Sequence, residues 1–324
     1  MTPNRRAVLR AGLGAGAGLV ATPADATPPT LTVDAASTDF GRLVTLKPRA
    51  VDRPATSVDI AGLLREAGKA GVKVAARGQG HSIYGRPLVE DGLVVDMSAF
   101  NVIGEISSDR VTVGAGVTWR DLLDATLRHG LTPPVLTNYL GLSVGGTLAV
   151  GGIGGSSSRY GLQTDQVLAL EVVTADGRQL RCSPATNRDL FDAVRAGLGQ
   201  CGIVTGATLR LVRAPQHVRR LQLFYRDLAT LAADQRRLLD DGRFDQLQGA
   251  VLPDLAGGWR YQLDGAVFHD GGLAADDRHA LDGLADDRSA AVVIEASYRD
   301  DALAFDKLRK VLTSNGQWSH PQPW

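Results

Sequence analysis

One histidine stands inside a glycine turn, in the stretch GQGHSIYG, where His81 follows Gly78 and Gly80. Glycine permits tight backbone conformations that expose a neighbouring side chain, and it lets a ligand lie against the main chain. An exposed imidazole can serve as a metal ligand or as an acid–base group. Spacing alone assigns no such role, because a lone histidine beside a turn is more often structural. Other features of the chain must therefore decide what His81 does.

The other histidines and the serines argue against two simple chemistries. The histidines are scattered, with no HxxxH or HxH pattern and no cysteine pair nearby, so we expect no metal site. A hydrolase with a Ser-His-Asp triad would need a stretch such as GxSxG, and the chain has none. The sequence therefore predicts neither a metal centre nor a serine hydrolase.

Glycine turns occur in three places, around Gly78, around Gly114 and from Gly145 to Gly155. Each contains a GxG, in the third turn at Gly152-Ile153-Gly154, but lacks the third glycine of GxGxxG. No stretch reads GxxxxGK[ST], so a Rossmann or P-loop site is not expected. Successive peptide N–H groups in such turns can still wrap a pyrophosphate. Ordinary tight turns are the alternative. Three of them, one with a histidine, favour a bound cofactor.

The segments between these turns predict short strands mixed with single helices. Residues 58–70 have helical spacing of apolar residues, VKVAARG is a strand that runs into the first turn, and GLVVDMS and RVTVGAG are strands at a hairpin-like distance from each other. Further along, we expect a helix in TWRDLLDATLRHG, a hairpin in VLALEVVTADGRQLRCS, and then strand VRRLQLFYRD followed by helix LATLAADQRRLLDD. Without strict β-α-β alternation, this order indicates an α+β fold.

Length and charge set further limits. The chain has 324 residues, which suits two domains. The sequence pattern changes after Pro215, and we place the domain boundary there. With 35 basic and 35 acidic residues, it has no electrostatic reason to bind nucleic acid or an anionic membrane. Its two cysteines, Cys182 and Cys201, exclude a disulfide scaffold. They either pair with each other or remain free thiols.

The N-terminus has the features of an export signal. Arg5-Arg6 precede a short Gly/Ala-rich apolar run, and Ala24-Asp25-Ala26 follows as a small-x-small cleavage site. This combination predicts a twin-arginine signal peptide over residues 1–26, with a linker at 27–41. A disordered tail is the alternative reading. We expect export by the twin-arginine pathway, to an extracellular or periplasmic site, with no membrane attachment after cleavage.

Three motifs together resemble one family: GQGHSIYG, the later YLGLSVGGTLAVGGIGG with SRYGLQTDQVLALEVVTADG, and DLFDAVRAGLGQCGIVTGATLRLV. In this order and spacing they resemble the flavoproteins of the vanillyl-alcohol-oxidase type, and within these the cytokinin dehydrogenases. The resemblance is strong over residues 42–215 and weak beyond. It implies a PCMH-type FAD-binding domain of two α+β subdomains at 42–215, followed by an α+β substrate-binding domain at 216–324.

The resemblance also implies which residues meet the cofactor. His81 matches the histidine that cytokinin dehydrogenases bond covalently to the flavin 8α-methyl group, and Arg86 stands where the family commonly has a glutamine with a flavin contact. The residues that would line FAD are Gly78, Gln79, Gly80, His81, Ser82, Arg86, Asn138, Ser143, Gly145, Gly146, Thr147, Ala149, Ile153, Ile203 and Val204.

The residues expected to work beside the flavin depart from the family. Cytokinin dehydrogenases carry an Asp in a T-D-Y-L run and a Glu in the substrate domain, and here those positions read Asn138 and Gln248. An amide cannot accept a proton at neutral pH. Either the substrate needs no base, or Asp245, Asp254 or Glu295 supplies it, or activity is reduced.

The resemblance implies an FAD-dependent oxidoreductase that removes a hydride from a small amine or alcohol. A sugar or alditol oxidase of the same superfamily and a catalytically silent flavin-binding protein are the alternatives. The C-terminal GQWSHPQPW looks like the middle of the family's substrate-domain motif, so we expect the substrate domain to be incomplete. Oxygen or another acceptor could reoxidise the flavin, and the sequence leaves the oligomeric state open.

Overall fold

The computed structural model describes residues 30–254, 257–271 and 277–314. The predicted signal peptide and the GQWSHPQPW motif lie outside these residues. The helices are α1 (Val33–Ala36), α2 (Ser57–Lys69), α3 (Trp119–Leu127), α4 (Val144–Leu148), α5 (Ser157–Tyr160), α6 (Arg188–Val194), α7 (Leu228–Asp241), α8 (Asp277–Leu281), α9 (Tyr298–Ala302) and α10 (Ala304–Ser314).

Fourteen strands form four sheets within these residues. The strands are β1 (Ala50–Asp52), β2 (Val74–Arg77), β3 (Leu93–Asp96), β4 (Ile103–Ile106), β5 (Arg110–Gly114), β6 (Leu131–Thr132), β7 (Val167–Val173), β8 (Gln179–Cys182), β9 (Ile203–Arg210), β10 (Val212–Arg213), β11 (His217–Tyr225), β12 (Gln246–Pro253), β13 (Trp259–His269) and β14 (Val292–Ser297).

The first sheet is parallel and carries the glycine turn at its end. Its order is β1-β3-β2, and Val94 and Val95 of the central strand are fully buried. Such a continuous apolar run suits a strand that is covered on both faces. The expected hairpin of GLVVDMS with RVTVGAG is therefore wrong, because β3 is taken up between β1 and β2 while β5 pairs with β4 and β9.

The second sheet has the order β4-β5-β9-β7-β8 and is antiparallel. Helices α3, α4 and α6 supply Trp119, Leu122, Leu148 and Phe191 to the core on this sheet. Helix α2 joins the two sheets, because its Ile60 and Leu64 share a cluster with Val95 of β3 and Ile203 of β9. The third sheet is the antiparallel pair of β6 with β10. The three sheets built from β1 to β10 are here called the first unit, and the remaining sheet with its helices the second unit.

The fourth sheet, with the order β12-β13-β11-β14, is also antiparallel. One face carries Leu221 and Leu223, which pack under Leu231 and Leu238 of α7. The other face turns toward the first unit, where Val218, Ala266 and Tyr298 join the core of the five-stranded sheet. The two units therefore share buried apolar surface.

Two further properties concern the described residues as a whole. No helix in this part of the chain combines the length and apolarity needed to cross a bilayer. Among the same residues, no group of three or more His, Cys, Asp or Glu side chains is arranged to hold a metal ion. Cys182 is buried and Cys201 exposed, and both carry free thiols.

Candidate functional site

The glycine turn that follows β2 is packed too closely for larger residues. Gly80 has a positive φ of 65°, a conformation that side chains with a Cβ rarely adopt. A Cβ on Gly78 would collide with the Oγ of Ser143. The requirement for glycine is therefore steric at both positions.

The second predicted FAD segment meets the first at this point. Ser143 precedes α4 and is buried, and its Oγ would also lie 2.9 Å from a Cβ on Gly146. Gly145 donates its N–H to Ala115 O at 2.8 Å, which holds the segment against the end of β5. The structure thus brings Gly78, Ser143 and Gly146 together from two distant parts of the chain.

The Thr147 side chain of the second segment is hydrogen-bonded within the protein. The indole N–H of Trp119 donates to the Oγ1 of Thr147 at 2.7 Å, in a buried bond. Gly146, in contrast, is exposed. Because Gly78 and Gly146 carry no Cβ, a pyrophosphate or a flat ring can approach the protein main chain there. These residues therefore fit FAD through their backbone, while Ser143 and Thr147 hold that backbone in place.

His81 lies half-buried between two aromatic rings. The Phe40 ring centroid is 4.0 Å from that of His81 and the Tyr139 centroid is 5.2 Å away. Tyr139 also packs near Phe305 of α10, at 6.1 Å, and under the Arg309 guanidinium at 6.0 Å. Burial raises the pKa of the Tyr139 hydroxyl, and the charge of Arg309 acts against that shift.

The other predicted cofactor residues differ in their exposure. Ile153 is 74% exposed and the Arg86 side chain is exposed as well. Ile203 and Val204 of β9 pack their side chains against the core around α2. The remaining predicted residues, Gln79, Ser82 and Ala149, are half-buried.

The two positions that depart from the family touch each other, although they are 110 residues apart in the chain. Asn138 Nδ2 donates to Gln248 Oε1 at 3.3 Å, and Gln248 Nε2 donates to Asn138 Oδ1 at 3.2 Å. Asn138 comes from the loop before α4, and Gln248 comes from β12 of the fourth sheet. The pair is therefore a neutral contact between the two units, one residue from the Tyr139 that packs on His81.

A charged network lies on the same face of the fourth sheet. Asp264 is the cross-strand neighbour of Gln248, and Arg220 donates to Asp264 at 2.5 Å, to Asp301 at 2.8 and 2.7 Å and to Gln246 at 2.8 Å. Burial would lower the pKa of Arg220, but the hydrogen bonds and charges of Asp301 and Asp264 outweigh it and raise that pKa. The Arg220 guanidinium therefore stays charged beside the amide pair.

Of the three carboxylates predicted as substitute bases, those of Asp245 and Glu295 are engaged in ion pairs. Asp245 forms an ion pair with Arg159 and accepts the N–H of Phe268. Glu295 binds His269 and Arg219, on the face of the sheet opposite Gln248. Asp254 lies in the turn between β12 and β13, where Gly257 donates to its carbonyl.

Sequence reasoning missed residues on both sides of the site. Phe40, Asp39 and Arg77 surround the glycine turn, and Arg220 and Asp264 flank Gln248. Phe40 and Asp39 fall in the segment predicted as a linker, which has no periodic pattern. The sequence feature that could have revealed them is the adjacent acidic and aromatic pair in ASTDFG, because flexible linkers are typically rich in Gly and Ser.

Comparison with known proteins gives the site a context. The family described as FAD binding domain matches residues 48–183. An oxidoreductase of the fasciation locus in Rhodococcoides fascians is 42% identical over 289 residues, which cover 89% of this chain and 66% of that protein. Cytokinin dehydrogenase 10 of Oryza sativa subsp. japonica is 36% identical over 335 residues, covering 89% and 61%. The chain thus spans less than two thirds of the length of these relatives.

Solved structures share the architecture. The 6-hydroxy-D-nicotine oxidase of Arthrobacter nicotinovorans superposes with a TM-score of 0.69 at 26% identity, over 85% of this chain and 62% of that one. The xylooligosaccharide oxidase of Myceliophthora thermophila C1 gives 0.71 at 24% identity, over 84% and 59%, and so shares the fold. These similarities confirm the predicted PCMH-type fold and FAD as cofactor.

Proposed function

Because the chain belongs to the FAD-linked oxidoreductases of the vanillyl-alcohol-oxidase type, we propose that it oxidises a small amine held between Asn138 and the flavin. One observation carries the proposal: Tyr139 packs on His81, while its neighbour Asn138 bonds Gln248 of the other unit. Because Asn138 and Tyr139 are adjacent in the chain, a substrate bound at the amide pair would lie next to the cofactor site. Bound FAD supplies the hydride acceptor.

The neutral pair favours an amine over an alcohol. Hydride loss from a carbon beside nitrogen is assisted by the nitrogen lone pair and gives an iminium ion without proton removal. Hydride loss beside a hydroxyl group needs a base to take the O–H proton, and neither amide can do so at neutral pH. Asn138 and Gln248 would instead orient the substrate, since each amide keeps a second N–H and a second carbonyl lone pair that the bonds between them do not use.

The sheet face around Gln248 supports a polar substrate. Gln222 donates to Asp264 at 3.3 Å, and Gln246 accepts from Arg220. These side chains project from the same face as Gln248: Gln246 on the same strand, Asp264 on β13, and Gln222 and Arg220 on β11. We propose that this face binds hydrogen-bonding groups at the far end of the substrate, which also keeps a sugar or alditol as the alternative substrate class.

We further propose that His81 carries the flavin covalently. A bond between an imidazole nitrogen and the 8α-methyl carbon would replace one N–H and one C–H bond. The two electrons and two protons released would go to the flavin, and dioxygen or another acceptor would then remove them. The position of His81 at the glycine turn supports this assignment, and its aromatic neighbours restrict the ring.

The test begins with the colour of the purified chain after incubation with FAD. After acid precipitation, yellow colour should remain with the pellet in the wild type and be lost in His81→Ala. A wild-type chain that binds no FAD at all contradicts the proposal. Flavin bleaching should then follow addition of amines under anaerobic conditions. Bleaching by polyols and not by amines would favour the sugar oxidase, and bleaching by neither would favour a silent flavin protein.

The location and the partners are proposals as well. We propose that residues 1–26 direct export by the twin-arginine pathway and that the only required partner is a small-molecule substrate, without nucleic acid or membrane. Replacing Arg5 and Arg6 by lysine should retain the protein inside a twin-arginine-competent bacterium, as measured by cell fractionation. Unchanged export of that variant would contradict the signal assignment.

A further inference from the structure

We infer that residues 36–41, here called the strap, position the His81 imidazole for the flavin, with Phe40 as the positioning residue. The inference rests on the proposed role of His81 as the flavin anchor. The strap begins at Ala36, the last residue of α1, and was predicted to be part of a linker. In the structure it crosses the glycine turn that carries His81.

Main-chain hydrogen bonds fasten the strap to both sides of His81. Phe40 N donates to Gly80 O, and Gly41 N donates to Ser82 O, each at 2.9 Å. A Cβ on Gly41 would lie only 2.5 Å from the Cα of Ile83, so the two backbones are in close contact. The residues on either side of His81 are therefore fixed by the strap.

A buried carboxylate adds a second attachment. Asp39 is only 3% exposed, and its two oxygens accept N–H groups from Gly85 at 2.7 Å and from Arg42 at 3.2 Å. Gly85 ends the turn that begins at Gly78. A buried carboxylate is costly unless it is hydrogen-bonded, and here its bonds close the turn onto the strap.

Arg77 supplies the opposite charge beneath the turn. Its side chain is 4% exposed, and its Nη2 donates to Ala35 O at 3.3 Å. Burial lowers the pKa of Arg77, and the charges of Asp39 and Asp96 counteract that shift. A Cβ on Gly80 would collide with this guanidinium. The turn, the strap and the cation thus form one packed unit around His81.

Phe40 makes the direct contact with the imidazole. The two rings are tilted by 33° at a centroid distance of 4.0 Å, and the Tyr139 ring also contacts His81, at a centroid distance of 5.2 Å. Rotation of the imidazole would require one ring to move. Holding a reacting group in its productive orientation accelerates bond formation, and a small misplacement is costly. Phe40 therefore acts through His81 and not on the substrate.

The test compares Phe40→Leu with Phe40→Tyr in the full chain, with Leu43→Ala as the matched control. Leu43 lies just beyond the strap and is 76% exposed. The readouts are the rate at which FAD becomes resistant to acid precipitation and the melting temperature. We expect Phe40→Leu to slow covalent incorporation roughly tenfold, while Phe40→Tyr and Leu43→Ala keep the wild-type rate. A wild-type rate in Phe40→Leu overturns the inference.

A second measurement does not depend on the flavin. Without added FAD, the imidazole C–H resonances of His81, assigned with His81→Ala, should be shielded by the Phe40 ring and move in Phe40→Leu but not in Leu43→Ala. Unchanged resonances overturn the inference, whatever the flavin result. Conversely, shifted resonances in a protein that binds no FAD would sustain the strap contact and contradict only the proposed function.

Discussion

Asn138 and Gln248 form a contact in which no group titrates between pH 4 and 9. Each amide gives one hydrogen bond and receives one, so the contact forms without a charge. A carboxylate at either position would keep the shape of the pair and add a proton acceptor. The difference between these two chemistries can be measured on the protein itself.

Asn138→Asp should introduce a new pH dependence. A carboxyl group is neutral below its usual pKa of about 3.9 and charged above it, so the oxidation of an alcohol should rise with pH through that range. General-base assistance is typically worth about a hundredfold or more. The measurement is kcat/KM against pH for an alcohol and an amine of the same carbon skeleton.

Gln248→Glu serves as the companion variant, because it places the same charge on the other side of the contact. Amine oxidation should change much less than alcohol oxidation in both variants, since the nitrogen lone pair already assists hydride loss. If the alcohol profile of Asn138→Asp coincides with that of the wild type, the pair does not contact the reacting group.

The residue scale also shows what sequence reasoning can reach. Asn138 and Gln248 were expected at one site, and the structure places them in contact. Phe40 and Asp39 could not be found in this way, because their role depends on where a segment without periodic pattern packs. Asp264 was missed for a similar reason: its position next to Gln248 follows from strand register, which pairs residues 16 apart in the sequence.

At the scale of elements, the glycine turn after β2 and the start of α4 depend on each other. Ser143 is the residue before α4, yet it makes no side-chain capping bond to that helix within the described structure. Its Oγ instead fills the space between Gly78 and Gly146. The turn and the helix therefore share one steric constraint, which two substitutions can separate.

Gly78→Ala should destabilise the protein and weaken FAD binding, because the added methyl group collides with Ser143 Oγ. Overpacking of a closely packed position costs about 1–3 kcal/mol. Urea unfolding and FAD titration measure the two effects.

The double variant Gly78→Ala, Ser143→Ala should recover most of the stability, since the new methyl would then be in ordinary contact with the Cβ of residue 143 at 3.4 Å and with Gly146 Cα at 4.0 Å. Ser143→Ala alone is the control and should cost little, because no capping bond is lost. A double variant as unstable as Gly78→Ala would show that another contact of Gly78 is responsible.

Long elements with clear periodicity were predictable, and short ones were not. Helix α2 and helix α7 follow their apolar spacing. The pairing of β3 was not predictable, because the separation of GLVVDMS from RVTVGAG by residues 99–109 suggests a hairpin-like distance, whereas burial on both faces selects a parallel position between β1 and β2. Strand β1 has only three residues, and its existence depends on that long-range pairing.

At the scale of the whole molecule, the two units are joined by a buried core. Tyr298 begins α9 in the second unit, and its ring meets Phe268 edge-on at 5.4 Å. Its hydroxyl lies 3.0 Å from the Oγ1 of Thr132 in the first unit. Thr132 Oγ1 also lies 3.3 Å from Pro133 O, to which it can donate, and either hydroxyl can be the donor between Thr132 and Tyr298. The junction therefore contains a buried phenol.

This phenol makes the junction sensitive to alkaline pH. Burial raises the pKa of Tyr298 to about 12, with the Thr132 hydrogen bond acting against it and the charge of Asp301 adding to it. An unfolded tyrosine loses its proton at a pKa of about 10. Between these values the unfolded state binds fewer protons than the folded state, so stability must fall as pH rises from about 10 to about 12.

Tyr298→Phe should remove this contribution. At pH 8 the variant should be less stable than the wild type by about 1 kcal/mol, because the hydrogen bond to Thr132 is lost. The difference should shrink by about 1.4 kcal/mol per pH unit above pH 10 and then reverse, as measured by urea unfolding at each pH. Tyr84→Phe, at a residue 74% exposed, should show the same pH dependence of stability as the wild type.

Two other tyrosines, Tyr139 and Tyr225, also have pKa values that burial raises. They lower the stability of all three proteins alike at alkaline pH, so the difference between the variant and the wild type reports on Tyr298. A constant difference from pH 8 to pH 11.5 would mean that the Tyr298 hydroxyl is not buried at the junction.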